Sequence, residues 1–276
     1  MRNLNNKNIL EYNKDNNDIQ ELINRYDQFL NSDGESYLDA DEFAELAEYY
    51  SDELGDDNMA QEIIDQALEV FPDALCLLAF KARFCLLYGA DTDKAEQYIE
   101  RAQDKSDIEY HYVKAEIILT RDGGHAADDY LVGYYADVIQ HESQSEIDDY
   151  FFDVANLFFD YEEYTLCMEW LQRSFRKEGS DYLYLYARTL FRMGVADESE
   201  KIFNQLLNDY PFEVDLWQDI ALAQFVQDKI PEAITSLDYA LAIEPDNEDA
   251  IYNKELLMLM LGSDQSTSGQ TVQLSH

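Results

Sequence analysis

Glycine and proline are scarce in this chain. Its 276 residues include 10 glycines and 4 prolines, together about 5% where roughly 12% would be ordinary. A long chain short of both breakers favours helix nearly throughout. Positive charge is scarce beside negative: 19 Lys and Arg face 59 Asp and Glu, a formal charge of −40. Such a field repels phosphates and anionic lipid heads, so DNA, RNA and acidic membranes are not expected partners. No apolar run approaches the ~18 residues of a membrane span. The opening residues, Met1 to Asn8, lack the apolar core of a signal peptide. Three cysteines, an odd number without tight pairing, fit a reducing compartment, and the expected address is the cytoplasm.

What is present is a core-forming composition, 46% hydrophobic and 13% aromatic, which separates the chain from acidic disordered tails. The rare breakers are also periodic. Gly55, Gly89 and Gly123 are 34 residues apart, and Gly194 lies 71 beyond. Pro211 and Pro245 are again 34 apart, and Pro72 precedes Pro211 by 139. This is a tandem array.

The clearest unit runs Leu216-Trp217-Gln218-Asp219-Ile220-Ala221, then Pro231, Ala233, Leu237, Ala240 and Pro245. Large, large and small residues mark one helix. Ala233, Leu237 and Ala240 then place small, large and small on one face of a second. Small residues let two antiparallel helices approach to ~8–10 Å. Pro245 ends the second helix, whereas Pro231 opens it, where a missing N–H costs nothing. Phe43-Leu46-Ala47-Tyr50 with Ala60-Ile64-Ala67-Pro72 repeats the pattern, as does Leu183-Tyr186-Ala187-Leu190 with Ser199-Phe203-Leu206-Pro211. The pattern resembles the tetratricopeptide repeat, a 34-residue helix-turn-helix unit. The resemblance covers about residues 40–247, and the third unit, with Gly123-Gly124 in its turn, is the divergent one.

The expected architecture is all-α: a right-handed α-solenoid of about six such units with capping helices at both ends. The units are expected at 40–73, 74–106, 107–146, 147–179, 180–213 and 214–247. Residues 1–17 are Asn-rich and read as flexible. Residues 18–39 hold an N-terminal cap with the stripe Ile19, Leu22, Ile23, Tyr26, Phe29 and Leu30. Residues 248–262 read as a closing helix ended by Gly262, and 263–276 as a disordered polar tail.

Nothing assembles into a catalytic constellation, so the chain is read as not an enzyme. Cys76 and Cys85 are nine residues apart, on opposite sides of a helix, which excludes a shared metal or disulfide. Cys85 and Cys167 occupy slots that the repeat reserves for packing. His111, His125, His141 and His276 form no H-x-x-x-H pair. Gly123-Gly124 lacks the continuation of a phosphate loop, and no calcium loop occurs. Asp148-Asp149 and Glu162-Glu163 read as solvated helical carboxylates. No cofactor and no metal are expected.

The resemblance implies that the first helix of each unit lines a concave groove. Transferred to this sequence, the groove-facing candidates are Tyr112, Phe152, Asn156, Phe159, Tyr184, Arg188, Phe191, Arg192 and Phe225. The competing reading for each aromatic is packing between neighbouring units. The family's lysine-and-asparagine clamp for peptide carboxylates is not matched: only Asn156, Arg188 and Arg192 come near it, and the first two units supply Ala44, Glu48 and Ala79. The expected function is a non-enzymatic protein–protein interaction scaffold that holds a peptide or protein segment in this groove. The alternative is an acidic chaperone for a basic or aggregation-prone client. Residues 26–80 hold 16 acidic and no basic residues, and 122–172 hold 13 and none. The runs read either as solvated surface or as an electrostatic funnel for a basic partner. Leu256 to Leu261 is apolar at six consecutive positions, more than one face of a helix can bury. Leu256, Leu257 and Met260 are therefore candidates for self-association into a homodimer.

Overall fold

The computed structural model describes residues 16–31, 38–141 and 143–268. Among the described residues there are fourteen α-helices and no strand. Helix α1 (Asn16–Asn31) precedes α2 (Ala40–Asp52) and α3 (Asp57–Val70), then α4 (Leu75–Gly89) and α5 (Thr92–Ile99). Next come α6 (Ile108–Asp122) and α7 (Gly124–His141), and α8 (Gln144–Asp160) and α9 (Tyr164–Arg173). The chain continues with α10 (Ser180–Arg192) and α11 (Ala196–Leu206), α12 (Val214–Val226) and α13 (Ile230–Ile243), and α14 (Glu248–Ser268). Helices α2 to α13 thus follow one another as six pairs. They divide into two compact units, one reaching Leu166 and one starting at Cys167, with the division inside α9.

Local chemistry sets the helix ends. The Asp39 carboxylate accepts the Glu42 N–H at 2.9 Å, and the Glu42 carboxylate accepts the Asp39 N–H at 3.0 Å. This reciprocal cap starts α2. Glu42 also receives Arg25 Nη2 at 2.9 Å, which ties α1 to α2. Ser143 and Glu146 form the same device for α8. That helix accordingly starts at Gln144, three residues ahead of the boundary expected at 147. The closing helix also departs from expectation, running through Gly262 to Ser268. An interior glycine costs a helix about 1 kcal/mol against alanine, which weakens it without forcing a stop. Residues 263–268 are therefore helical, not tail; 1–15 and 269–276 lie outside the described residues.

The turn inside each pair contains one residue with positive φ. Gly55, Gly123 and Gly194 supply it in three units, with φ of 62°, 93° and 85°. Ala90, Glu162 and Asp228 supply it in the others, with φ of 47°, 64° and 63°. The glycine ladder of the sequence was thus a partial view of a feature present in all six pairs. Gly89, although on the 34-residue grid, is the last residue of α4, and the left-handed residue is Ala90 after it.

The small slots are filled as the repeat requires. Ala47, Ala60, Ala82, Ala95, Ala115, Ala127, Ala155, Ala187, Ser199, Ala221 and Ala233 are all essentially unexposed. Ser199 adds a bond to the packing, its hydroxyl donating to the Ala187 carbonyl at 2.7 Å. Around these contacts lie apolar clusters. One joins Phe43, Leu46, Ile63 and Ile64 to Leu22 and Tyr26 of α1. Another joins Ala221, Ala233 and Leu237 to Ala250 and Leu257 of α14. Burying each large side chain contributes about 1.5–3 kcal/mol. Cys167 is buried with its Sγ 3.2 Å from Thr189 Oγ1, and burial pushes the Cys76 thiol up to about 12. Both behave as packing groups.

Candidate functional site

The candidate residues fall into two groups, one in each compact unit. In the first, Tyr112 of α6 is 3% exposed, and its hydroxyl donates to Asp153 Oδ2 of α8 at 2.9 Å. Its ring stacks on Tyr150 at 6.1 Å. Burial pushes Asp153 up to about 7; the Tyr112 bond opposes that shift, while nearby Asp149 and Glu109 add to it. Beside this pair, Arg83 of α4 donates through Nε to Glu116 at 3.0 Å and through Nη1 to Glu109 at 2.5 Å. Glu116 is itself buried, and burial raises its pKa despite the attraction of Arg83. Phe152 and Asn156 are half-buried, and the Asn156 amide donates back to the Phe152 carbonyl at 3.1 Å. Phe159 is buried against Tyr164, ring centroids 5.5 Å apart.

In the second unit, Tyr184 of α10 is buried and faces Asp219 of α12. The Tyr184 hydroxyl is hydrogen-bonded to the Asp219 carboxylate, whose Oδ2 is buried with no hydrogen-bond partner. Burial pushes Asp219 up to about 6; Arg188, the Tyr184 bond and Arg192 pull it back, and Asp215 pushes it further up. The Arg188 guanidinium lies 5.5 Å from the Tyr184 ring centre. Phe191 and Phe225 are half-buried and Arg192 is exposed. On α12, Leu222 and Val226 are exposed at 40% and 57%.

Three of the nine groove candidates, Tyr112, Phe159 and Tyr184, are therefore interior groups and offer no surface to a ligand. The reason is contact with the following first helix or second helix, which covers each ring. Phe152, Asn156, Arg188, Phe191, Arg192 and Phe225 remain at least partly accessible. Of the self-association candidates, Leu256 is exposed but Leu257 is 5% exposed, part of the α12–α14 cluster. Leu257 cannot form a seam, because helix rotation turns it inward.

Sequence reasoning missed the acids. Tyr112 and Tyr184 occupy equivalent slots, and each meets the aspartate one place after the equivalent slot of the next unit, Asp153 and Asp219. Aligning consecutive first helices would have exposed this pairing. Among the described residues no group of His, Cys, Asp and Glu could hold a metal ion. Nor is any helix there long and apolar enough to cross a membrane.

This succession of helix pairs, with small residues at the crossings and a left-handed turn in each, defines an α-solenoid of helix-turn-helix repeats. The fold is that of tetratricopeptide-repeat proteins. The chain's likeness to known proteins is one of structure. A tetratricopeptide repeat protein from Parabacteroides merdae superposes with a TM-score of 0.55 at 13% identity, over 88% of this chain and 99% of that one. Yeast Tom70 superposes with a TM-score of 0.57 at 13% identity, over 87% of this chain and 51% of Tom70. No family model matches the sequence, and no curated protein matches it.

Proposed function

We propose that this protein is a non-enzymatic interaction scaffold that binds a peptide or protein segment on the faces of its first helices. The observation that carries the reading is the exposed apolar pair Leu222 and Val226 on α12, with half-buried Phe225 on the same helix and half-buried Phe191 near the end of α10. Apolar side chains left open on one face of successive repeats are what a segment would cover. Arg188 and Arg192 stand next to this face, where they would attract an acidic side chain or terminal carboxylate of the segment. Such a group would share them with Asp219. Cytoplasmic residence, suggested by the cysteine count, belongs to the same reading.

The test is a pull-down from native cells, quantified by mass spectrometry, with wild type and with Leu222→Ser, Val226→Ser. Both positions are exposed, so helicity by circular dichroism should not change. Partners enriched by wild type and lost by the variant support the scaffold; identical partner sets from both would remove the groove from the reading. The second reading, an acidic chaperone, is favoured by the charge run of residues 26–80, 16 acidic and none basic. It predicts a client that is insoluble alone and soluble when co-expressed. A partner that is folded and soluble by itself would exclude it.

A further inference from the structure

Helix α14 repeats the register of α12. Among the described side chains of α14, Ala250 and Leu257 are buried, 34 places after Leu216 and Ala223 of α12, whereas Lys254 and Glu255 stand where α12 buries Ile220 and Ala221. α14 thus follows the register of a first helix at its two buried positions but lacks the small interior slot, and its exposed apolar residues separate into two sets. Ile251 and Met258 match Trp217 and Gln224, which in the sixth unit contact α13: Trp217 stacks on Tyr239 at 4.5 Å, and Gln224 Oε1 accepts from Ser236 at 2.8 Å. Tyr252, Leu256, Leu259 and Met260 match Gln218, Leu222, Phe225 and Val226 on the other face. They are 67%, 43%, 73% and 37% exposed. The exposed apolar residues of α14 therefore stand at the positions equivalent to the α12 face, and the two helices share one buried cluster through Ala221, Ala250 and Leu257.

The rim of that face is acidic. Asp215 and Asp249, again 34 apart, are exposed in the first turns of α12 and α14. Asp219, between the rim and Leu222, has a buried carboxylate oxygen with no hydrogen-bond partner. The cations Arg188 and Arg192 lie on α10, outside this stretch, and act on Asp219.

We propose that the α12–α14 face docks a basic amphipathic segment of a partner protein. This rests on the groove reading above and extends it by one helix and by the sign of the ligand. The apolar side of the segment would cover Leu222, Val226, Leu256 and Leu259, and its lysines or arginines would meet Asp215 and Asp249. A second copy of the chain is a poorer occupant, because it would bring the same acidic rim and a further net charge of −40 against the first. A segment acidic along its length would meet repulsion from Asp215 and Asp249 on α12 and α14, while a single acidic group at its α10 end would meet Arg188 and Arg192.

The test uses the full chain and three labelled synthetic peptides, followed by fluorescence anisotropy. One is an amphipathic helix of Leu and Lys, the second a scramble of the same composition, and the third the same apolar pattern with Glu for Lys. The first should bind, with affinity falling steeply as salt rises. The scramble should bind at least about tenfold more weakly, since its charge is equal and only the apolar face is lost, and the Glu peptide should not bind. Leu256→Ser with Leu259→Ser should weaken the first peptide about tenfold. Asp215→Asn with Asp249→Asn should weaken it less and flatten the salt dependence. Equal binding of the scramble, or of the Glu peptide, overturns the proposal. So does a dimer in light scattering that Leu256→Ser with Leu259→Ser abolishes. If Leu222→Ser with Val226→Ser weakens the peptide and the α14 pair does not, the groove stands and the extension falls. If neither pair matters, both fall.

Discussion

The two compact units use one device in two charge settings. Residues 12–166 hold 39 acidic and 9 basic residues, a net charge of −30, while residues 167–276 hold 19 and 8, a net of −11. Each contains a buried tyrosine hydrogen-bonded to an aspartate on the next first helix. In the acidic unit, Asp153 has Asp149 and Glu109 as its charged neighbours and lies at about 7. In the other, Asp219 has Arg188 and Arg192 opposing Asp215, and lies at about 6. Burial is the first cause in both. The sign of the surrounding charge then decides how much of the burial cost is relieved.

The sharpest way to break this comparison is to remove the relief. Arg188→Ala with Arg192→Ala should leave Asp219 buried without a cation and destabilise the protein by about 2–4 kcal/mol at pH 7. Adding Asp219→Asn should restore most of that loss, and thermal or urea unfolding of the four proteins forms a double-mutant cycle. An arginine pair that merely lines a groove would show no such coupling.

A second experiment works on the acidic unit. Because the folded state raises Asp153 above its ordinary value near 3.9, it binds more protons than the unfolded state between about pH 4 and pH 7. The contribution of this group is full below about pH 4 and is lost as pH rises through 7. Asp153→Asn, which can still accept the Tyr112 hydroxyl, should therefore stabilise the protein at pH 8 by on the order of 1–3 kcal/mol and little at pH 4. Asp219→Asn should show the same sign over the narrower window from about pH 4 to pH 6, with a smaller gain. A gain at pH 8 larger for Asp219→Asn than for Asp153→Asn would reverse the comparison.

The smallest effects concern the turns, where both units share one geometry. Ala90→Gly, Glu162→Gly and Asp228→Gly relieve a left-handed backbone and should each change stability by up to about +1 kcal/mol, offset in part by the greater freedom of an unfolded glycine. Gly194→Ala, at φ 85° with open space around its Cβ position, should cost about 1 kcal/mol through backbone strain alone. Melting temperatures of the four single variants check both signs. An equal loss in all four would mean that side-chain contacts, not φ, govern these turns.

Much of the fold was legible because its cause is local. The 34-residue spacing, the small residues at helix crossings, Pro231 at a helix start and Pro72 and Pro245 after helix ends all act through a few neighbours along the chain. The same holds for the misread places in part: Ser143 and Glu146 are a capping pair visible in the sequence, whereas nothing local shows that α14 continues through Gly262.

The site was legible only as a face. Register along a helix identified Arg188, Phe191, Arg192 and Phe225 as neighbours on one side of successive helices, and periodicity alone determined that much. Whether a residue on that side meets water depends on a helix some 35–41 residues away, which covers Tyr112 and Tyr184 with Asp153 and Asp219 and turns Leu257 inward while leaving Leu256 and Leu259 open. Burial, and with it the protonation of the two aspartates, is a property of packing between repeats, so only the tertiary structure decided it.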